Sequence, residues 1–126
     1  MNESVLKVGI MPKAEYVKRT LAIARGEYRP ANDEPQVWFE SIKSLAEVMS
    51  DQNRELLALI DAHQPQSLNE LGQLSGRKVS NLSRTLKTLE SHGLVALHRE
   101  HGRLVPNVRA TRFQVDFGLR DWREAS

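Results

Sequence analysis

The sequence predicts an α+β chain, mainly α, and three observations carry that reading. Apolar residues recur at helical spacing through residues 41–93, then switch to an alternating pattern after Gly93, clearest from Thr111 to Phe117. Between those regimes stands a pair of short helical segments joined at a glycine, from Ser67 to Gly93. The architecture that follows is a helix-turn-helix with a β-hairpin, preceded by a strand-helix extension.

The central pair is justified by local chemistry. Ser67 with Glu70 three positions later forms a capping box, in which each side chain satisfies an orphan backbone donor of the other. Pro65 cannot continue a preceding helix and favours an extended approach. Leu68, Leu71 and Leu74 make a short apolar stripe, and Gly76 gives the backbone freedom needed for the turn. Gly72, lacking a side chain, lets the second helix come close to the first.

Turning the second helix through about 100° per residue places Val79, Leu82, Leu86 and Leu89 on one side. Arg77, Ser80, Asn81, Arg84, Lys87 and Thr88 fall opposite, and Gly93 closes the helix where left-handed geometry is wanted. These polar side chains suit a major groove: Arg donates bidentately to guanine, Asn pairs with the adenine edge, and Ser or Thr reaches phosphates. The plain alternative is a solvated helix face, which is normally of mixed charge. Here no acid appears on that face before Glu90.

Charge is segregated along the chain although the total is only +2. Residues 77–112 hold eight cations against Glu90 and Glu100, a net +6, while residues 27–70 hold three cations against nine acids, a net −6. A basic block on the candidate reader is the electrostatic footprint of a DNA-binding surface. The acidic block is expected to point away from phosphates or towards a partner.

In chain order, Val5, Leu6, Val8 and Ile10 predict a strand, and Pro12 opens a helix running to about Arg25. Val17, Leu21 and Ala24, with Tyr16, Thr20 and Ile23, form its apolar stripe, read as a packing or dimer-seam face; docking of a protein partner is the alternative. Residues 26–36 hold two prolines, a glycine and three acids, as a loop does. Val37, Trp38 and Phe39 are an apolar cluster, for a strand or core anchor, with an interface role for Trp38 as the alternative. Ser41 caps a helix to about Met49, and Ser50 and Asp51 start another ending near Gln64 with Leu56, Leu59, Ile60 and His63 inward. After Gly93, residues 94–105 read as a hairpin turning at Gly102, with Arg99 and Arg103 at its tip for phosphate or minor-groove contact. Pro106 is expected to limit pairing of the return strand. Thr111, Phe113, Val115 and Phe117 alternate with polar residues as a half-buried strand of undecided pairing, and the tail from Arg120 is expected to fray.

The expected organisation is therefore an extension over residues 1–40 for dimerisation or partner binding, a DNA-binding domain over 41–118, and a tail over 119–126. Candidate DNA contacts are Arg77, Lys78, Ser80, Asn81, Arg84, Lys87, Arg99 and Arg103. Zero cysteines exclude disulfides and thiolate metal sites, and the lack of a long apolar run argues against membrane insertion and for a cytoplasmic location. No hydrolase constellation, metalloprotease motif or phosphate-cradling loop is present, so an enzyme and a cofactor are not expected. His92, His98 and His101 are the one set from which a metal sensor could be built, and the expectation is against it.

The segment NLSRTLKTLESHGLV, within about Ser50 to Val108, resembles the recognition-helix region of MarR-like and ArsR-like winged helix-turn-helix regulators. With VGIMPKAEYVKRTLAIARGEY, PQVWFES and PQSLNELGQLSGR, nearly the whole chain resembles antitoxins of the TumA type, encoded beside a small TumE-like toxin. That resemblance implies a protein that represses its own operon and binds a protein toxin. A stand-alone repressor, ligand- or metal-responsive, is the alternative. Reading two half-sites on double-stranded DNA implies a homodimer, built from the amino-terminal helix and the last strand.

Overall fold

The computed structural model describes residues 4–119. The expected tail from Arg120 lies outside the described residues. The elements run β1 (Val5–Ile10), α1 (Lys13–Ala24), β2 (Val37–Phe39), α2 (Ile42–Val48), α3 (Asp51–His63), α4 (Leu68–Ser75), α5 (Val79–Ser91), β3 (Val95–Glu100), β4 (Arg103–Val108) and β5 (Arg112–Asp116). It is an α+β fold, mainly helical, in which α2 to β4 form the winged helix-turn-helix order. No described helix is long and apolar enough to cross a membrane.

Serine chemistry starts three helices. The hydroxyls of Ser41, Ser50 and Ser67 accept from the backbone N–H groups of Ser44, Asn53 and Glu70 at 3.0, 3.2 and 3.0 Å. Each cap satisfies a donor that no helical carbonyl reaches. The expected capping box is altered by one residue: the Glu70 carboxylate accepts from the backbone N–H of Gln66 at 3.0 Å. The acid therefore braces the approach to the helix from one position further out.

Two sheets flank these helices. β3 and β4 pair antiparallel around the two-residue turn His101-Gly102, whose φ angles are 52° and 76°. Positive φ at both positions matches the right-handed twist of the strands. Pro106 does not curtail this hairpin, contrary to the sequence expectation, because pairing continues to Val95 opposite Val108. Counting outward from the turn, Pro106 faces Leu97 at a position that exchanges no ladder hydrogen bonds, so its missing N–H costs nothing there.

The other sheet has the order β2-β1-β5 and is parallel throughout. The strand with undecided pairing thus joins the amino-terminal strand, with Leu6 beside Phe113 and Val8 beside Val115. One face of this sheet supplies Leu6, Val8, Val37 and Phe39 to the same core as Leu56, Ile60, Leu71, Leu82, Leu86 and Leu89. The first forty residues, expected as an extension, are thereby continuous with the helical core.

The amino-terminal helix packs the opposite way round from its apolar stripe. Tyr16, Val17 and Leu21 are 42, 47 and 47% exposed, whereas Arg19 is buried. The guanidinium of Arg19 lies 4.9 Å from the Trp38 ring centroid and 5.9 Å from that of Tyr28, and 3.7 Å from Glu34. Glu34 also accepts from the Tyr28 hydroxyl and the Ala31 N–H, both at 2.6 Å, so residues 26–36 form an ordered loop. A buried arginine persists where aromatic faces and a carboxylate replace its water. Beneath it, a Cβ on Gly9 would stand 2.5 Å from the Trp38 ring, so only glycine permits this approach.

Candidate nucleic-acid interface

Helix α5 is fixed from behind by three leucines. Leu82, Leu86 and Leu89 are each 0% exposed, and Leu71 of α4 joins them. Val79, expected on this buried side, is instead 39% exposed, because it lies in the first turn, beyond the end of the leucine contact. Gly76 takes φ +74° as the C-cap of α4 and turns the chain from α4 to α5. That left-handed geometry strains any residue bearing a Cβ. A Cβ on Gly72 would lie 3.1 Å from the Arg77 carbonyl, so the small residue accommodates the turn more than the second helix itself.

The outward surface of α5 carries Ser80, Asn81, Arg84 and Lys87, all exposed, with Lys78 exposed at the N-cap. The Thr85 hydroxyl donates to the Asn81 side-chain oxygen at 3.4 Å, one turn on. This orients the Asn81 amide, a role that the sequence reading missed although the four-residue spacing signals it. Thr88 and Ser91 spend their hydroxyls on the helix itself, donating to the carbonyls of Arg84 and Thr88 at 3.2 and 2.7 Å.

Arg77 stands apart from the other candidates. It is half-buried, and its guanidinium donates to the Gln52 carbonyl in the first turn of α3 at 2.9 Å. The side chain therefore ties the turn between α4 and α5 to the helix behind it.

The hairpin divides its two arginines. Glu100 pairs with Arg103 and Arg99 with Leu104, which puts Arg99 and Arg103 on opposite faces of the ribbon. Both are exposed near the tip, one on each side of the ribbon. On the Arg103 face, His98 contacts the Glu100 carboxylate at 2.8 Å and the Asn107 amide at 3.0 Å. His92 stacks on Phe39 with centroids 4.7 Å apart and planes 9° from parallel. His101 occupies the turn itself. The three histidines thus have separate environments, and among the described residues no group of three or more His, Cys, Asp or Glu is placed to hold a metal ion.

A winged helix-turn-helix with a leucine-anchored α5, polar and basic on its outer surface, is the class that fold and site define. The chain belongs to the HVO_A0114 family, whose profile matches residues 48–115, from the end of α2 to β5. No curated protein matches it. Among solved structures, a crystal structure of a predicted DNA-binding transcriptional regulator from E. coli is similar at 17% identity and a TM-score of 0.45. The match covers 77% of this chain and 84% of that one.

Proposed function

We propose that this protein is a sequence-specific DNA-binding transcriptional regulator that lays α5 in the major groove. The observation that carries the reading is the outward surface of α5, which has no acid before Glu90 while its reverse side is locked by buried leucines. Ser80, Asn81 and Arg84 face base edges, Lys78 and Lys87 take phosphates, and one hairpin arginine per copy reaches the neighbouring backbone. Arg77 positions the turn. A single such unit covers few base pairs, so the regulator acts as a homodimer on paired half-sites, as a repressor.

Selection of duplexes from a random pool tests this directly. An enriched motif, with binding weakened by about 1–3 kcal/mol in each of Arg84→Ala and Asn81→Ala, is the expected result. Absence of enrichment, or unaltered affinity in both variants, rejects the assignment.

An antitoxin role is a second reading, supported by the outward stripe of Tyr16, Val17 and Leu21 on α1 and by the likeness to TumA-type antitoxins. An apolar stripe of this kind suits a protein partner. Copurification with the product of an adjacent small reading frame, lost in Val17→Asp with Leu21→Asp, is the expected outcome. Capture undiminished by those changes removes α1 from the role.

A further inference from the structure

β5 lies at one edge of the β2-β1-β5 sheet. Arg112 donates its backbone N–H to the Ser4 carbonyl at 3.1 Å, on the β1 side. Successive residues of a strand direct their N–H and C=O groups to opposite sides, so Gln114 and Asp116 also turn theirs towards β1. Phe113 and Val115 then present theirs at the outer edge, where no described strand pairs with β5. Such an edge is a template for another strand unless it is covered or blunted.

We propose that a second copy of this chain docks there, β5 against β5 in antiparallel register about a two-fold axis at Gln114, joining two three-stranded sheets into one of six. This deepens the dimer of the proposed function by naming its interface. A two-fold contact must be self-complementary, and charge selects the register. Centred on Gln114, Phe113 exchanges hydrogen bonds with the other copy's Val115, and Arg112 stands opposite the other copy's Asp116 twice, by symmetry. The Arg112 and Asp116 positions form non-hydrogen-bonded pairs, where side chains approach most closely. Shifting by two residues sets Arg112 opposite Gln114 or Gly118 instead, and neither juxtaposes opposite charges.

The apolar side of the strand agrees with this register. Val115 and Phe117 are 42 and 54% exposed. Phe117 of the second copy falls opposite Thr111, at the mouth of a groove of about 580 Å³ lined by Met49, Leu57, Ala58, Val108 and Ala110. Large apolar area next to an open edge is the combination that strand addition uses.

The test is the mass of the full chain at micromolar concentration by light scattering and sedimentation. Wild type is expected at twice 14.3 kDa. Val115→Pro deletes an edge-facing N–H without touching the ladder to β1, and D116R or R112D alone sets like charges face to face. Each is expected to raise the dimer dissociation constant at least tenfold while circular dichroism shows the fold retained. The double variant R112D/D116R restores the dimer, and mixing R112D with D116R yields a heterodimer, because each then supplies what the other lacks. A monomeric wild type overturns both this interface and the dimer of the proposed function. A wild-type dimer indifferent to V115P and D116R overturns the interface alone. Failure of the mixed sample to dimerise overturns the register.

Discussion

Salt is the most informative perturbation of the proposed DNA complex, because the proposed contacts set how many cations meet phosphates. Arg77 is engaged by the Gln52 carbonyl, and Arg99 and Arg103 lie on opposite faces of the hairpin. That leaves Lys78, Lys87 and one hairpin arginine per copy for the backbone, with Arg84 assigned to bases. A dimer then neutralises about six phosphates, and log K should fall with log salt at a slope of about −5. Raising salt from about 50 to about 200 mM would weaken binding roughly a thousandfold on that slope. Fluorescence anisotropy on a selected duplex, titrated across that range, measures it. Lys87→Ala should lower the slope by about 2, since each dimer loses two contacts, and should weaken all sequences alike. Arg84→Ala should instead erode discrimination at one base position. A wild-type slope shallower than about −2, or an unchanged slope in Lys87→Ala, would refute the assignment of these cations to the backbone.

Two further outcomes test the framework behind the site. Arg77→Ala should lose about 1 kcal/mol, seen as a fall of about 4 °C in the thermal midpoint, because it breaks the tie to α3; an unmoved midpoint with weakened DNA binding would return Arg77 to the reading surface. Phe39→Ala removes a side chain that is 1% exposed and stacked on His92, and should cost about 3–5 kcal/mol in one cooperative transition. Two separate transitions would mean that the first forty residues fold apart from the rest.

What the sequence revealed was the structure that local chemistry determines. Ser41, Ser50 and Ser67 announce their helices because a cap involves residues three positions apart. Leu82, Leu86 and Leu89 announce a buried side because the helical period is a property of the segment itself. The β1–β5 pairing was hidden, since nothing in VLKVGI or RFQVD encodes which distant strand each will join. Arg19 misled for a related reason. Its burial depends on Trp38, Tyr28 and Glu34, brought together only by the fold, while the periodic apolar residues of α1 remained outside. At the candidate interface the exposed face was legible, but the diversion of Arg77 and the splitting of Arg99 from Arg103 required knowledge of neighbours and register.

The parallel pairing of β1 with β5 also sets an order of events. Thr111 donates to the Ser4 carbonyl across 107 positions of chain. Closing a flexible loop of that length costs about 4 kcal/mol of entropy, so this clasp is expected to wait until the helices between have collapsed. During synthesis β1 must therefore remain without its last neighbour until residues 112–116 have emerged, however early the helix pair forms. Among the described strands β5 pairs with β1 alone, so it can open without breaking the rest of the sheet. Native-state hydrogen exchange should accordingly find β5 amides the least protected of the sheet in dilute protein, and better protected as concentration rises.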